Sequence, residues 1–395
     1  MLTVSEATKL IAEHLWKPET ELVPLQNSLG RVLAESVATD RDLPPYNRVA
    51  MDGIAIVLSA VESGSLRISG VASAGMSALK ISSPLDCIEV MTGAILPEGA
   101  DVVIRYEDVK IENGIANFDP SGLSQWMNVH RQGSDSRRGD VLLSAGTFIT
   151  AAEIPLLASV GKRKVSVYTV PRTAVISTGD ELVDIAEKPL DHQIRISNSY
   201  AVQAGLETLK VSAHLFHMSD QGGGNTQLLE KILNEHELII LSGGVSKGKF
   251  DWVPRALEQA GIKKHFHQVN QKPGKPLWFG TGSGKVVFAL PGNPVSTFLC
   301  LYRYIIPWLR ESFGLNAAAQ SVQLMEDYEM KFETTYFLQV KIVQDGATRY
   351  CIPVPGGGSG DFVNLLHVDG FIEIPPGKRM YPRNTVFKYI PFRVS

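Results

Sequence analysis

Cysteine is scarce in this chain. Cys87, Cys300 and Cys351 are its only three in 395 residues, they lie far apart, and no C-x-x-C spacing occurs. That excludes a disulfide framework and disfavours a cysteine zinc site or redox pair. So sparse a set of thiols fits buried, inert side chains in a reducing compartment, and a cytoplasmic protein is expected. Histidine offers no substitute, because the nine histidines form no H-x-x-x-H or H-x-E pattern. No Walker lysine motif is present, which disfavours P-loop hydrolysis. No apolar run approaches the roughly 20 residues a membrane helix needs. The N-terminus has no basic segment, and Glu6 and Glu13 interrupt its apolar content, so it does not read as a signal peptide. Net charge is also small, −3 from 38 basic and 41 acidic residues. Broad nucleic-acid or membrane binding therefore has no support, and any anion site must be a local cluster of cations and N–H groups.

What is present is a soluble globular composition, 44% hydrophobic and 20% charged, in a chain too long for one ordinary core. Residues 1–40 read as helix, turn, helix, with Thr3 and Glu6 as a capping box and Ala7, Leu10, Ile11 and Leu15 on one face. Arg41-Asp-Leu-Pro-Pro-Tyr46 is a stiff connector. From about 47 to 129 short β-like runs follow, including an Asn113-Gly114 hairpin signal between alternating segments. Helical text returns at 150–159. From about 168 to 310 strands at Thr173–Ser177, Ser212–His217, Leu238–Leu241 and Val286–Leu290 alternate with helices at Asn198–Ala204, Thr226–Glu235, Trp252–Ala260 and Val295–Leu309. Such alternation predicts a mostly parallel α/β sheet covered on both faces. After about 318 the pattern is β-like again, and a small barrel is expected. The reading is a multidomain α/β plus β protein in four parts. Residues 1–46 with 130–167 form a helical linker and dimerisation domain, 47–129 a β-rich insertion, 168–315 the α/β domain, and 316–395 a C-terminal β-barrel.

Ligands of open parallel sheets bind beyond the strands' carboxyl ends, and the chemically suggestive residues of this chain stand there. Thr178, Gly179, Asp180 and Glu181 follow Ser177, and Asp220 follows the strand ending at His217. Ser242, Gly243, Gly244, Val245 and Ser246 follow the strand ending at Leu241, with Asp251 beyond. If these strands are neighbours, four carboxylates share one rim. Asp251 can be the N-cap of the next helix, a metal ligand, or both, and Asp220 has the same two readings. Of Asp180 and Glu181, one can ligate while the other fixes the turn. Ser242 to Ser246 suits a phosphate cradle of backbone N–H groups, although Gly-Gly is also an ordinary turn. Lys272, Pro273, Gly274 and Lys275 make a rigid loop presenting two ammonium groups, which suits a polyanion better than a solvated charge pair does. Pro291, Gly292, Asn293 and Pro294 form a strand–helix turn, with Asn293 as N-cap and Pro294 at the first helical position. Asp52, before Gly53, and Thr92 stand out in the β insertion, yet nothing local makes either catalytic.

The motifs Ala50-Met-Asp-Gly, Met91-Thr-Gly-Ala, Ser177-Thr-Gly-Asp-Glu-Leu, Ser242-Gly-Gly-Val-Ser, Lys272-Pro-Gly-Lys-Pro and Leu290-Pro-Gly-Asn-Pro-Val, in that order, resemble the molybdopterin molybdenumtransferase family (MoeA, related to the gephyrin E domain). The resemblance covers essentially the whole chain. It implies a homodimeric enzyme of molybdenum cofactor biosynthesis. Such an enzyme takes adenylylated molybdopterin and molybdate, cleaves the adenylyl linkage with help from Mg²⁺, and releases AMP and molybdenum cofactor. It further implies Asp180, Glu181, Asp220 and Asp251 as the acidic set, with Glu181, Asp220 and Asp251 holding the metal. Lys272 and Lys275 become anion contacts, Ser242 to Ser246 the cradle, and Ser359, in Gly356-Gly-Gly-Ser-Gly, a barrel serine near the metal-insertion region. Asp52 and Thr92 are expected to reach the partner subunit's cleft. Molybdopterin adenylyltransferase and molybdoenzyme apoproteins are the partners this family admits.

The chain departs from the family pattern at Lys249, Ile196 and Ser134, where acids are usual, and it lacks barrel arginines around Thr335 and Gln339. Those departures bear on molybdate capture more than on reaction class. Two other readings stand beside this one: a molybdopterin adenylyltransferase, which shares the α/β domain, and a non-catalytic gephyrin-like scaffold.

Overall fold

The computed structural model describes residues 1–61, 64–219, 225–245, 252–315 and 319–393. By contact the chain divides into two compact units, one of 1–34, 146–150 and 165–395, the other of 35–145 and 151–164.

The first unit is built on a six-stranded sheet. Strands Ala213–Met218, Thr173–Thr178, Leu238–Ser242 and Lys285–Leu290 lie side by side and parallel, followed by the antiparallel Trp278–Gly282 and Lys263–Phe266. Alternation within each strand feeds two cores. Val175, Ile240 and Phe288 face one, with Val202, Leu206 and Trp308. Ala174, Ile176, Ile239, Leu241 and Val287 face the other, with Leu229, Ile232 and Leu257. A sheet buried on both sides explains the continuous apolar strands read from sequence. The expected single helix Val295–Leu309 is instead Pro294–Cys300, a π-helical turn Leu301–Ile305, and Ile306–Ser312. Pro307 has no N–H to offer the preceding turn, and the wider turn absorbs that gap.

The barrel belongs to the same unit. Thr335–Asp345 pairs with both Thr348–Pro353 and Gly370–Ile374, and Gln320–Leu324 and Val386–Pro391 close the ring. Inside it pack Leu324, Leu338, Val340, Cys351, Ile372 and Phe387. The short strand Gln271–Lys272 pairs in parallel with Thr335 and Tyr336, tying the lysine loop to the barrel wall.

At the N-terminus, helix Val4–Ala12 has the expected Thr3–Glu6 capping box and buries Val4, Ala7 and Ile11. The second helix expected before residue 40 is absent. After Pro18 the chain runs as strand Thr20–Pro24, a single 3₁₀ turn Leu25–Asn27 and the short strand Val37–Ala38. Pro18 and Pro24 deny helix propagation on either side of this segment.

The second unit carries a six-stranded sheet ordered Val102–Arg105, Gly53–Ile56, Asp86–Val90, Ser65–Ala72, Ile115–Phe118, Val109–Glu112. Its last two strands form the expected hairpin, with Asn113 at φ 52° and Gly114 at φ 77°. All three cysteines are buried and free. Burial raises their thiols to about 11 for Cys87 and about 12 for Cys300 and Cys351, so each stays neutral and unreactive.

Candidate functional site

Strand order and chain order together locate the first cavity. From Thr173–Thr178 the chain crosses to Ala213–Met218 on one side, then returns to Leu238–Ser242 on the other. Between those two connections lies the switch point where open sheets bind ligands. Register places His217, Ser177, Ser242 and Leu290 in one row at the strand ends. The segments that follow Ser177, Ser242 and Leu290 therefore emerge together, around a cavity of about 450 Å³. Ser177, Thr178, Glu181, Ser242, Gly243, Gly244, Val245, Pro291, Gly292, Asn293 and Pro294 line it.

Glycine is demanded where these turns crowd. Gly243 has φ +98°, and a Cβ there would sit 2.7 Å from both the carbonyl oxygen and Oγ1 of Thr178. Gly179, at φ +141°, lies against the Glu181 carboxylate. Its carbonyl accepts from His217 Nε2 at 2.9 Å, which pins the turn to the neighbouring strand. Asn198 Nδ2 donates to Ser242 Oγ at 2.9 Å and to the Gly292 carbonyl at 2.7 Å, clamping two of the turns. Ser177 Oγ is buried at the floor and has no hydrogen-bond partner among the described residues. A buried hydroxyl without a partner is costly, and here it lines a cavity with room for a ligand's acceptor.

The lysine loop lines a second cavity of about 380 Å³ between the α/β strand ends and the barrel. Lys272, Pro273, Gly274 and Lys275 contribute from one side, Tyr336, Gln339 and Ser359 from the other. Both lysines are exposed and neither has an ion-pair partner among the described residues. The Lys272 ammonium rests 3.7 Å from the centre of the Phe332 ring, a contact that holds a cation without neutralising it. Pro276, Pro291 and Asn293 line both cavities and form the wall they share. Asn293 occupies the N-cap position but makes no side-chain cap. Pro294 has no N–H, and the Val295 N–H is taken by the Ser359 carbonyl at 3.0 Å. The Asn293 amide turns instead to Ser359 Oγ, 2.8 Å away.

Sequence reasoning overlooked Arg195, Asn198 and Pro276 as cavity residues. Arg195 and Asn198 flank the start of helix Asn198–Glu207, and only their place on the rim reveals them. Asp180 is exposed on the turn and is not part of the cavity lining. Asp220, Ser246, Lys249 and Asp251 lie outside the described residues. Among the described residues no group of three His, Cys, Asp or Glu side chains could hold a metal ion.

In the second unit the Asp-Gly pair is more than a turn. Gly53 opens a central strand, and a Cβ on it would lie 1.8 Å from the Ile104 carbonyl oxygen. Asp52 Oδ1 accepts from both the N–H and the hydroxyl of Thr92, each at 2.6 Å. Those two bonds hold the Asp52 carboxyl below its ordinary range. The two motifs singled out in this unit are thus one constellation, an ionised carboxylate locked to a threonine.

Three family models cover nearly all of the chain: the MoeA N-terminal region (domain I and II) over 2–161, a probable molybdopterin binding domain over 174–311, and the MoeA C-terminal region (domain IV) over 321–392. A molybdopterin molybdenumtransferase from Synechocystis sp. is 37% identical over 98% of this chain and 99% of its own length. The chain belongs to the MoeA family. Another family member, the molybdopterin molybdenumtransferase of Staphylococcus epidermidis, is 29% identical over 98% of this chain and 95% of that protein. A crystal structure of a molybdopterin biosynthesis MoeA protein from Pyrococcus horikoshii superposes with a TM-score of 0.82 at 27% identity, covering 99% of this chain and 100% of that one. The resemblance read from the ordered motifs, the α/β domain and the barrel are all borne out as MoeA features.

Proposed function

We propose that this MoeA-family enzyme binds adenylylated molybdopterin with its phosphates in the strand-end crevice and admits molybdate through the lysine-lined cavity beside it. It cleaves the adenylyl linkage and releases AMP and molybdenum cofactor. The observation that carries this reading is the shared wall of Pro276, Pro291 and Asn293. Two anion sites separated by one wall suit a reaction that joins a phosphate-bearing organic substrate to an inorganic oxyanion.

Each site has the chemistry its ligand asks for. The N–H groups of Gly179 and Gly243 go to the Met218 and Leu290 carbonyls, so the neutral donors for phosphate oxygens are the later N–H groups of these turns and the hydroxyls of Ser177, Thr178 and Ser242, which bind without a fixed counter-charge. The two ammonium groups bring full charge to the oxyanion, whose negative charge must be offset as it approaches the phosphates. Of the residues expected to hold Mg²⁺, Glu181 lines the crevice, and Asp220 and Asp251 complete the set in this reading. Magnesium there would take carboxylate oxygens and offset phosphate charge. The enzyme acts as a cytoplasmic homodimer, in which Asp52 and Thr92 of one protomer serve the cleft of the other. No helix among the described residues is long and apolar enough to cross a membrane.

The test is to mix purified protein with adenylylated molybdopterin and molybdate. AMP release that depends on molybdate is expected. Consumption of ATP with unmodified molybdopterin would replace the proposal with an adenylyltransferase, and neither reaction would replace it with a scaffold.

A further inference from the structure

Gln271 is polar, precedes Lys272 in the short strand that leads into the lysine loop, and is only 2% exposed. Its side chain is spent on one task. Nε2 donates to the Pro273 carbonyl at 3.2 Å and to the Gly274 carbonyl at 3.1 Å. Oε1 accepts from the hydroxyl of Tyr304, which lies on the π-helical turn. The amide fills the space directly under the loop, since a Cβ on Gly274 would meet Gln271 Nε2 at 2.8 Å and Cys300 Sγ at 3.0 Å. Val269 N–H donates to the Lys275 carbonyl at 3.0 Å and closes the loop at its base.

These bonds fix which way the peptide groups face. In a trans peptide, C=O and N–H point in opposite directions, and the only cis bond in this loop is Lys272–Pro273. With the carbonyls of Pro273 and Gly274 drawn inward to the amide, the N–H groups of Gly274 and Lys275 point away from the core. Neither N–H has an acceptor among the described residues, and both residues line the second cavity.

We infer that Gln271 is a positioning residue for the oxyanion, holding the lysine loop with two N–H groups and two ammonium groups turned together toward the cavity. The inference rests on the reading of that cavity as the molybdate site. Tyr304 supports it from behind. Its hydroxyl, pushed up by burial, stays protonated and able to donate. An apolar residue of similar volume at 271 would leave two buried carbonyls unsatisfied and free the loop to turn them outward, replacing donors at the cavity with acceptors.

The experiment measures molybdate-dependent AMP release, thermal stability and amide hydrogen exchange over 269–277 in Gln271→Met, beside Lys272→Ala and Lys275→Ala. Gln271→Met is expected to raise the molybdate KM about tenfold, to leave kcat within about twofold, and to speed exchange in the loop. A fall in Tm with an unchanged molybdate KM would overturn the inference, because that is what a merely structural glutamine would give. Should Gln271→Met fail to fold, Tyr304→Phe decides, with a rise of about threefold expected and an unchanged KM counting against the inference. If the lysine variants shift molybdate dependence and neither Gln271→Met nor Tyr304→Phe does, only the positioning claim falls. If the lysine variants also leave it unchanged, the reading of the cavity falls too.

Discussion

The two cavities on either side of the Pro276, Pro291 and Asn293 wall differ in how they are made. The first is a product of topology. Four parallel strands end in register, and whatever follows them must share a rim. Its donors are mostly main-chain amides and short hydroxyls. The second depends on a loop held between the α/β domain and the barrel, and its charge comes from Lys272 and Lys275. Where the strands converge, neutral donors are dense enough to grip a phosphate. Where one loop meets a barrel wall, few main-chain donors are available, and full charges take their place. That division of labour gives each cavity its own failure mode.

The largest effect should come from breaking the second cavity while sparing the first. Lys275→Ala removes an ammonium that has no ion-pair partner among the described residues from a site meant for an oxyanion. By analogy with loss of a single oxyanion donor, molybdate-dependent AMP release should fall by roughly 10²-fold. Binding of AMP, measured by calorimetry, should change by less than about threefold if the first cavity is independent. A matched loss of AMP affinity would mean the two are one electrostatic site.

The converse break is Gly243→Ala. A non-glycine residue at φ +98° is strained, and the new Cβ would press on Thr178 at 2.7 Å. The strand ends would have to separate, at a cost of about 2–4 kcal/mol in unfolding free energy, with AMP affinity lost as well. Gly261→Ala is the control, because its φ of +82° is comparable but nothing lies within 4 Å. That variant should cost about 1 kcal/mol. Equal losses in denaturant titrations of the two would show that backbone strain alone, and not crowding of the rim, makes Gly243 necessary.

The same contrast sets how much could be read from sequence. The first cavity was legible because apolar runs such as Ala174-Val-Ile and Leu238-Ile-Ile-Leu declare strands buried on both faces, and the strands' ends then follow from fold logic. The Asn113-Gly114 hairpin and the Thr3–Glu6 cap were legible for the same reason, since local chemistry and final structure agree. Contacts distant along the chain were not legible. Asn198 is an unremarkable helix start until Ser242 and Gly292 arrive beside it. Gln271 carries no signal beside the lysine motif until Tyr304 and two carbonyls surround it. Asn293 sits where a cap belongs, and only the approach of Ser359 from the barrel explains why its side chain does something else. The false second helix before residue 40 came from weighing local composition above Pro18 and Pro24.

The smallest expected effect is also the most direct probe of the wall. Ser359→Ala deletes the acceptor of the Asn293 amide but keeps the backbone bond from Val295 N–H to the Ser359 carbonyl, so the helix start should hold its place. One part-exposed neutral hydrogen bond contributes about 0.5–1.5 kcal/mol. The freed amide faces both cavities, so AMP affinity and molybdate KM should each worsen by about two- to threefold, together and with little change in Tm. Worsening on the molybdate side alone would place Asn293 functionally in the lysine cavity and shift the effective wall to Pro276 and Pro291. No change on either side would mean that the wall is set by its prolines and backbone, with the amide free to turn at no consequence to either ligand.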